Sequence, residues 1–246
     1  MVKKIYIEPP ESERKFRRLA ALGKELGIPI PQAFLEIEVK MPDGKILTHF
    51  KQRAHSWVRN AYNLLLSEMA CKDLDSGVGA YGPGELSIKD TAAGVQRGSR
   101  GAIISAGSGA FSFEGAGQNY RANAGIATHG IQVGSDNTVF SFEDYKLVVP
   151  IIEGTGAQQL SHAAMAAPTK SYGALTWAIT WMRFFNNNTL AATDVLVKEV
   201  GLITAGYIVS APINWLNSRD VLGATVTIPS TGQLKVTYAI SLVYPA

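Results

Sequence analysis

Apolar and polar residues alternate through much of the second half of this chain. Within Gln233–Val243, Leu234, Val236, Tyr238, Ile240 and Leu242 occupy every second position, with Lys235, Thr237, Ala239 and Ser241 between them. Side chains two residues apart share a sheet face, so this segment predicts a strand with one side in a core. The same alternation runs through residues 177–181 and 194–202. Residues 225–228 lead into a Pro229-Ser230-Thr231-Gly232 turn, so 225–242 reads as a hairpin. Strands of this kind predict a mainly β protein, an antiparallel sandwich or barrel.

Earlier in the chain, Leu35, Ile37 and Val39 alternate with Phe34, Glu36, Glu38 and Lys40. Pro42-Asp43-Gly44 then turns the chain into a return strand bearing Ile46, Thr48 and Phe50 on one face. Ser56 is placed to cap a helix in which Trp57, Ala61, Leu64, Leu65 and Met69 recur at three- and four-residue steps. This spacing predicts a helix buried on one side against the sheet. Strands are expected again over 125–134. Residues 159–165 and 172–185 read as a long antiparallel pair, and Ser141-Phe142-Glu143-Asp144 as a one-turn helix start.

Two segments stand apart. Residues 1–32 form a leader: Val2, Ile5 and Ile7 suit a short strand, and 11–26 a helix with Phe16, Leu19, Ala20, Leu22 and Leu26 near one face. Arg14, Lys15, Arg17, Arg18 and Lys24 crowd the same helix. A solvated amphipathic helix accounts for them, and a contact with nucleic acid or an acidic partner is the alternative. Residues 77–125 hold twelve glycines and read as a projecting arm inserted in a single domain spanning 33–246. The expected fold is therefore a jelly-roll-like β-sandwich with one packed helix, a helical leader and a long Gly-rich arm.

Composition sharpens this picture. Charged residues make up only 17% of the chain, against the quarter or so usual for soluble domains, so much of the surface is expected to face other protein. A net charge of +3 lacks the concentrated basic face of a dedicated nucleic-acid binder. Cys71 is the sole cysteine, which rules out an internal disulfide and a multi-cysteine zinc site. Glu8, Pro9 and Pro10 interrupt the start before any apolar stretch, and no apolar run approaches the ~20 residues of a membrane helix. Synthesis in the cytoplasm without membrane insertion is expected.

Candidate chemistry is sparse. His49, His55, His129 and His162 form no metal-ligand spacing, and each is read as a hydrogen-bonded structural residue. His55-Ser56 is the one adjacent His/Ser pair, but sequential neighbours point apart. Gly107-Ser108-Gly109 lacks the strand–helix context of a nucleophile elbow or phosphate loop. Glu143, Asp144 and Glu153 meet only the loosest test for a glycosidase. Asp136, Asn137, Glu143 and Asp144 offer calcium ligands that a turn explains equally well. Trp177, Ile179 and Trp181 read as an aromatic core row. Arg219-Asp220 reads as a pair bracing a bend, with a subunit contact as the alternative. No catalytic, cofactor-binding or metal residue is assigned, and no cofactor is expected.

Several phrases taken together resemble virion proteins of tailed bacteriophages. They are Gly130-Ile131-Gln132-Val133-Gly134-Ser135 followed by Phe142-Glu143-Asp144-Tyr145-Lys146-Leu147, then Val197-Lys198-Glu199-Val200-Gly201-Leu202, and Arg219-Asp220-Val221-Leu222 before the 225–242 segment. Residues 51–60 resemble their pre-helix segment. The similarity spans about 34–70 and 125–243, leaving out the leader and the arm. It implies a non-enzymatic particle component with a β-sandwich body, present in many copies and located in the virion. Its partners would be copies of itself and other virion proteins, with the basic leader as the segment for any weak DNA contact. A receptor- or carbohydrate-binding module at a particle surface or fibre is the alternative. A hydrolase using His55 or His129 is a third.

Overall fold

The computed structural model describes residues 5–6, 10–54, 56–70, 73–74, 86–96, 116–189, 193–208 and 211–244. The protein is mainly β, built of antiparallel sheets, with two helices among the described residues. The larger sheet uses β1 (Ile5–Tyr6), β2 (Pro31–Lys40), β3 (Ile46–Arg53), β7 (Ser161–His162), β8 (Thr169–Gly173), β9 (Thr176–Asn186) and β12 (Gln233–Val243). Its order is β1-β3-β2-β12-β9-β7, with β8 also on β9. β1 joins β3 in parallel; the other pairs are antiparallel. The smaller sheet, in the order β11-β10-β6, contains β6 (Gly130–Gly134), β10 (Val195–Ile208) and β11 (Ala211–Ile228). A two-stranded ribbon joins β4 (Ile88–Lys89) to β5 (Val95–Gln96).

One hydrophobic core draws on both large sheets. Leu35, Ile37 and Val39 of β2 and Leu234, Val236 and Tyr238 of β12 meet Ile131 and Val133 of β6, Val197 and Val200 of β10, and Val226 and Ile228 of β11. The alternation legible in β2 and β12 thus faces inward as expected. In β9 the same face holds buried Trp181, Arg183 and Phe185. Trp177 and Ile179 of that row are exposed, at 40% and 38%, so the expected core row ends partway along the strand.

Several boundaries differ from expectation for identifiable reasons. Residues 225–242 are not a hairpin: β11 pairs with β10, while β12 pairs with β2 and β9. The Pro229–Gly232 turn instead carries the chain from one sheet to the other. Asn187 clamps it: Thr231 N donates to Asn187 O at 2.9 Å, Asn187 N to Gly232 O at 2.9 Å, and Asn187 Nδ2 to Ile228 O at 2.8 Å. The long partner expected for β9 is divided between β7 and β8. A tight turn at Ala174 and Leu175, with φ of 47° and 60°, closes the β8–β9 hairpin. Ser141–Asp144 is a turn rather than a helix start, because Ser141 N donates to Asp144 Oδ2 at 2.9 Å and Asp144 N to Ser141 O at 3.0 Å.

The helix α1 (Pro10–Glu25) rests on the sheet through half-buried Phe16 and Ala20 and buried Gly23, leaving Leu19, Leu22 and Leu26 exposed. Arg53 of β3 holds it, donating from Nε to Glu13 Oε2 at 2.8 Å while its guanidinium lies 3.6 Å from the Phe16 ring centre. α2 (Arg59–Met69) packs on β11. Its N-cap is Val58, with no side-chain capping bond. Ser56 is not the cap expected for it; its backbone is tied to β11, where Arg219 N donates to Ser56 O at 3.1 Å.

Most of the glycine-rich stretch lies outside the described residues, including Gly107, Ser108, Gly109, Arg97 and Arg100. Of its two described parts, 86–96 and 116–125, the first does not project. Ile88 is fully buried, and the β4–β5 ribbon closes around Asp90, whose Oδ1 accepts from Ala92 N and Gly94 N. No helix among the described residues is long and apolar enough to cross a membrane.

Candidate functional site

The helix α2 is inverted relative to ordinary amphipathic packing. Its buried residues are Asn60, Asn63 and Ser67, spaced three and four apart. Asn60 Nδ2 donates to Lys89 O at 2.8 Å and to Leu216 O at 3.1 Å, and its Oδ1 accepts from Lys89 N at 2.9 Å. Asn63 Nδ2 donates to Ser87 O at 2.7 Å. The side chains thus complete backbone hydrogen bonding of β11 and the segment entering β4, groups that would otherwise be buried without partners. The opposite face carries Tyr62, Leu65, Leu66 and Met69 at positions i, i+3, i+4 and i+7, exposed by 51%, 53%, 57% and 77%. Sequence periodicity predicted an apolar side carrying Trp57, Ala61, Leu64, Leu65 and Met69 and expected it to be buried. Leu64 is half-buried against Leu74, Ile88 and Trp215, whereas Leu65 and Met69 face outward.

The Ser141–Asp144 turn completes this face and ties it to the interior. The rings of Phe142 and Tyr62 lie 5.6 Å apart, and Phe142 is 40% exposed. Arg59 N donates to Phe142 O at 2.9 Å, and the Arg59 guanidinium pairs with Glu143 through both carboxylate oxygens. That pairing holds the Glu143 carboxyl below its ordinary range, hydrogen bonding being the main cause. On the inner side, Asp144 Oδ2 accepts from Arg219 Nη1 at 2.9 Å.

Arg219 is wholly buried. It also donates from Nε to Glu199 Oε2 at 2.6 Å and from Nη2 to Thr138 O at 2.8 Å. Burial pulls its guanidinium pKa down, but the bonds to Glu199 and Asp144 outweigh this and leave it above the ordinary range. Glu199, equally buried, accepts from Val149 N at 3.1 Å and Val148 N at 3.3 Å. Gly134 lies against its carboxylate so closely that a Cβ there would collide with Oε1. Arg219 and Asp220 therefore do not form the bracing pair expected. They point to opposite partners: Asp220 Oδ2 accepts from Ser218 Oγ at 2.9 Å, and Ser218 Oγ accepts from Tyr238 Oη at 2.9 Å. The calcium ligands weighed from sequence do not converge: Asp144 serves Arg219, Glu143 serves Arg59, and Asp136 Oδ1 accepts from Thr138 N at 2.6 Å. Among the described residues no group of three or more His, Cys, Asp or Glu side chains is placed to hold a metal.

A second buried cation organises the other end of the core. Arg183 donates to backbone carbonyls of Ile126 at 2.6 Å, Ala163 at 2.9 Å and Ile131 at 3.0 Å, so it staples two irregular segments onto β9. Burial draws its pKa down to about 10, partly opposed by Glu153. His129 and His162 flank it. Burial first, and the Arg183 charge second, bring each imidazole down to about 4. Glu153 Oε2 accepts from His162 N at 2.6 Å, and the His162 ring stands edge-on to Phe185. His49 Nε2 lies 2.8 Å from Glu36 Oε1. His55 lies outside the described residues. Sequence reading missed the polar stripe Asn60–Asn63–Ser67 and the Glu199–Arg219–Asp144 triad. The stripe's three- and four-residue spacing was its visible signal; the triad, joining residues 20 to 75 positions apart, left none.

Comparison of the chain with protein-family models, with curated proteins and with solved structures finds no match in any of the three.

Two measurements follow. Removing one partner of a buried ion pair typically costs about 3–5 kcal/mol. Arg219→Met should therefore destabilise by that order, and Glu199→Gln with Arg219→Met together by less than the sum of the single changes. Urea unfolding in a double-mutant cycle reads this, and additive losses would contradict the coupling. The two histidines bind protons more readily unfolded, near pH 6.5, than folded, near pH 4. Their contribution is complete above 6.5 and is lost as pH falls toward 4, with a slope of up to ~1.4 kcal/mol per pH unit for each proton taken up. His129→Asn with His162→Gln should flatten the stability curve between pH 6.5 and 5; an unchanged slope would assign it to other groups.

Proposed function

We propose that this chain is a non-enzymatic structural component of a tailed-bacteriophage virion, assembling in many copies. In this reading the two sheets around their shared core form a β-sandwich body of jelly-roll kind. The leader, the Gly-rich arm and the sheet edges reach neighbouring subunits. The observation that carries it is α2, which docks by its polar side and leaves Tyr62, Leu65, Leu66 and Met69 outside. A contiguous apolar row on a rigid helix suits cover by protein better than by water. The exposed Leu19 and Leu22 of α1, with Leu26 just beyond its end, add a second row, and the low charge content agrees. The sequence resemblance to virion proteins supplies the particle; the surface supports assembly. Partners are then sister copies and other virion proteins, met after synthesis in the host cytoplasm, with α1's basic residues available to packaged DNA.

Mass photometry and sedimentation of purified protein should show a concentration-dependent oligomer, and a monomer at all concentrations would remove the main support. One observation favours the alternative of a receptor- or carbohydrate-binding module. Trp177 is 40% exposed beside Tyr172, their rings 5.0 Å apart, near a recess of about 380 Å³ lined by Tyr120, Trp181 and Ile179. Under that reading a glycan array gives a signal that Trp177→Ala abolishes; under the structural reading the array is blank.

A further inference from the structure

We infer that the outward face of α2 is a two-fold contact with the same helix of a second copy, the two helices running antiparallel. This inference rests on the assembly reading and gives that reading a specific partner and geometry.

The size of the face suits such a contact. At their observed exposures Tyr62, Leu65, Leu66, Met69 and Phe142 present on the order of 500 Å² per copy, so a pair that covers the whole face would bury about 1,000 Å², the minimum for a biological interface. The face is also held in place before any partner arrives. Asn60 and Asn63 fix the helix from beneath, and the Arg59–Glu143 pair and the Tyr62–Phe142 contact fix its rim. A preorganised face loses little side-chain entropy on association.

Charge selects the partner. The row on α1 is bordered by Arg14, Lys15 and Arg18, which would confront their own kind across a two-fold axis. The outward row of α2, Tyr62, Leu65, Leu66 and Met69, carries no charge of its own, and antiparallel pairing sets the two helix dipoles in their favourable orientation. The spacing i, i+3, i+4, i+7 is the seam along which two helices interdigitate. The axis then passes close to Leu65 and Leu66, and Tyr62 of one copy faces Met69 of the other.

Cysteine cross-linking of the full chain in a Cys71→Ser background tests the geometry. Leu66→Cys protein should form a covalent dimer on mild oxidation. Tyr62→Cys and Met69→Cys proteins should cross-link when mixed and only weakly when oxidised separately. Leu65→Glu with Met69→Glu should weaken self-association by more than tenfold in sedimentation equilibrium while leaving the circular dichroism spectrum unchanged, both positions being exposed. If the chain self-associates but ignores these substitutions and fails to cross-link, the face belongs to another occupant. The α2 pairing is then overturned while the assembly reading survives. If the chain is monomeric throughout, both are overturned.

Discussion

A guanidinium cannot leave water without partners, and the placement of Arg219 deep in this protein sets conditions that much of the structure meets. Glu199 must stand beside it on the neighbouring strand, and a register shift between Val197 and Glu199 accompanies the turn of that carboxylate away from the alternation of β10. Gly134 must lack a side chain so that the carboxylate fits. The remaining carboxylate capacity draws in Val148 N and Val149 N, and Asp144 and Thr138 O complete the guanidinium's bonds. Residues 135–149 are thereby fixed over the small sheet without forming regular structure. A buried ion pair is a weak source of net stability because desolvation opposes it, but it is demanding about geometry. Here that demand orders an otherwise irregular segment.

The same segment transmits order to the surface. With Asp144 held from inside, Glu143 and Phe142 on the same turn reach Arg59 and Tyr62 of α2. The helix is fixed again from beneath by Asn60 and Asn63, whose amides offer a donor and an acceptor each and so match unpaired backbone groups of either kind. With Asn60, Asn63 and Leu64 engaged beneath, Tyr62, Leu65, Leu66 and Met69 are left facing outward. An outward apolar row is costly for an isolated chain and useful for one that meets copies of itself, which links the interior chemistry to the assembly role proposed above.

The fold was readable where a single periodicity governs burial. Leu35, Ile37 and Val39, or Leu234, Val236 and Tyr238, alternate because one face of each strand meets the core. The reading failed where the deciding group is distant. The Pro229–Gly232 turn looks like a hairpin until Asn187, some forty residues earlier, is seen to hold it as a crossing between sheets. Trp177 and Trp181 share a face, yet only Trp181 is covered, because packing against Tyr120 ends at that point of the strand. Arg219 and Asp220 are adjacent in sequence, but strand geometry sends them to opposite faces and different partners.

By itself the sequence determined that the chain is mainly β, that an amphipathic helix lies between Ser56 and Met69, and that no familiar catalytic spacing is written along it. These follow from local periodicity and residue chemistry, which neighbours along the chain carry in full. Which side of α2 turns inward, and which charges share the interior, were decided only by the tertiary structure. Amphipathicity specifies two unlike faces but not what waits beneath them. Here the surface below presented unpaired backbone N–H and C=O groups, and these bind amides more strongly than they tolerate leucines.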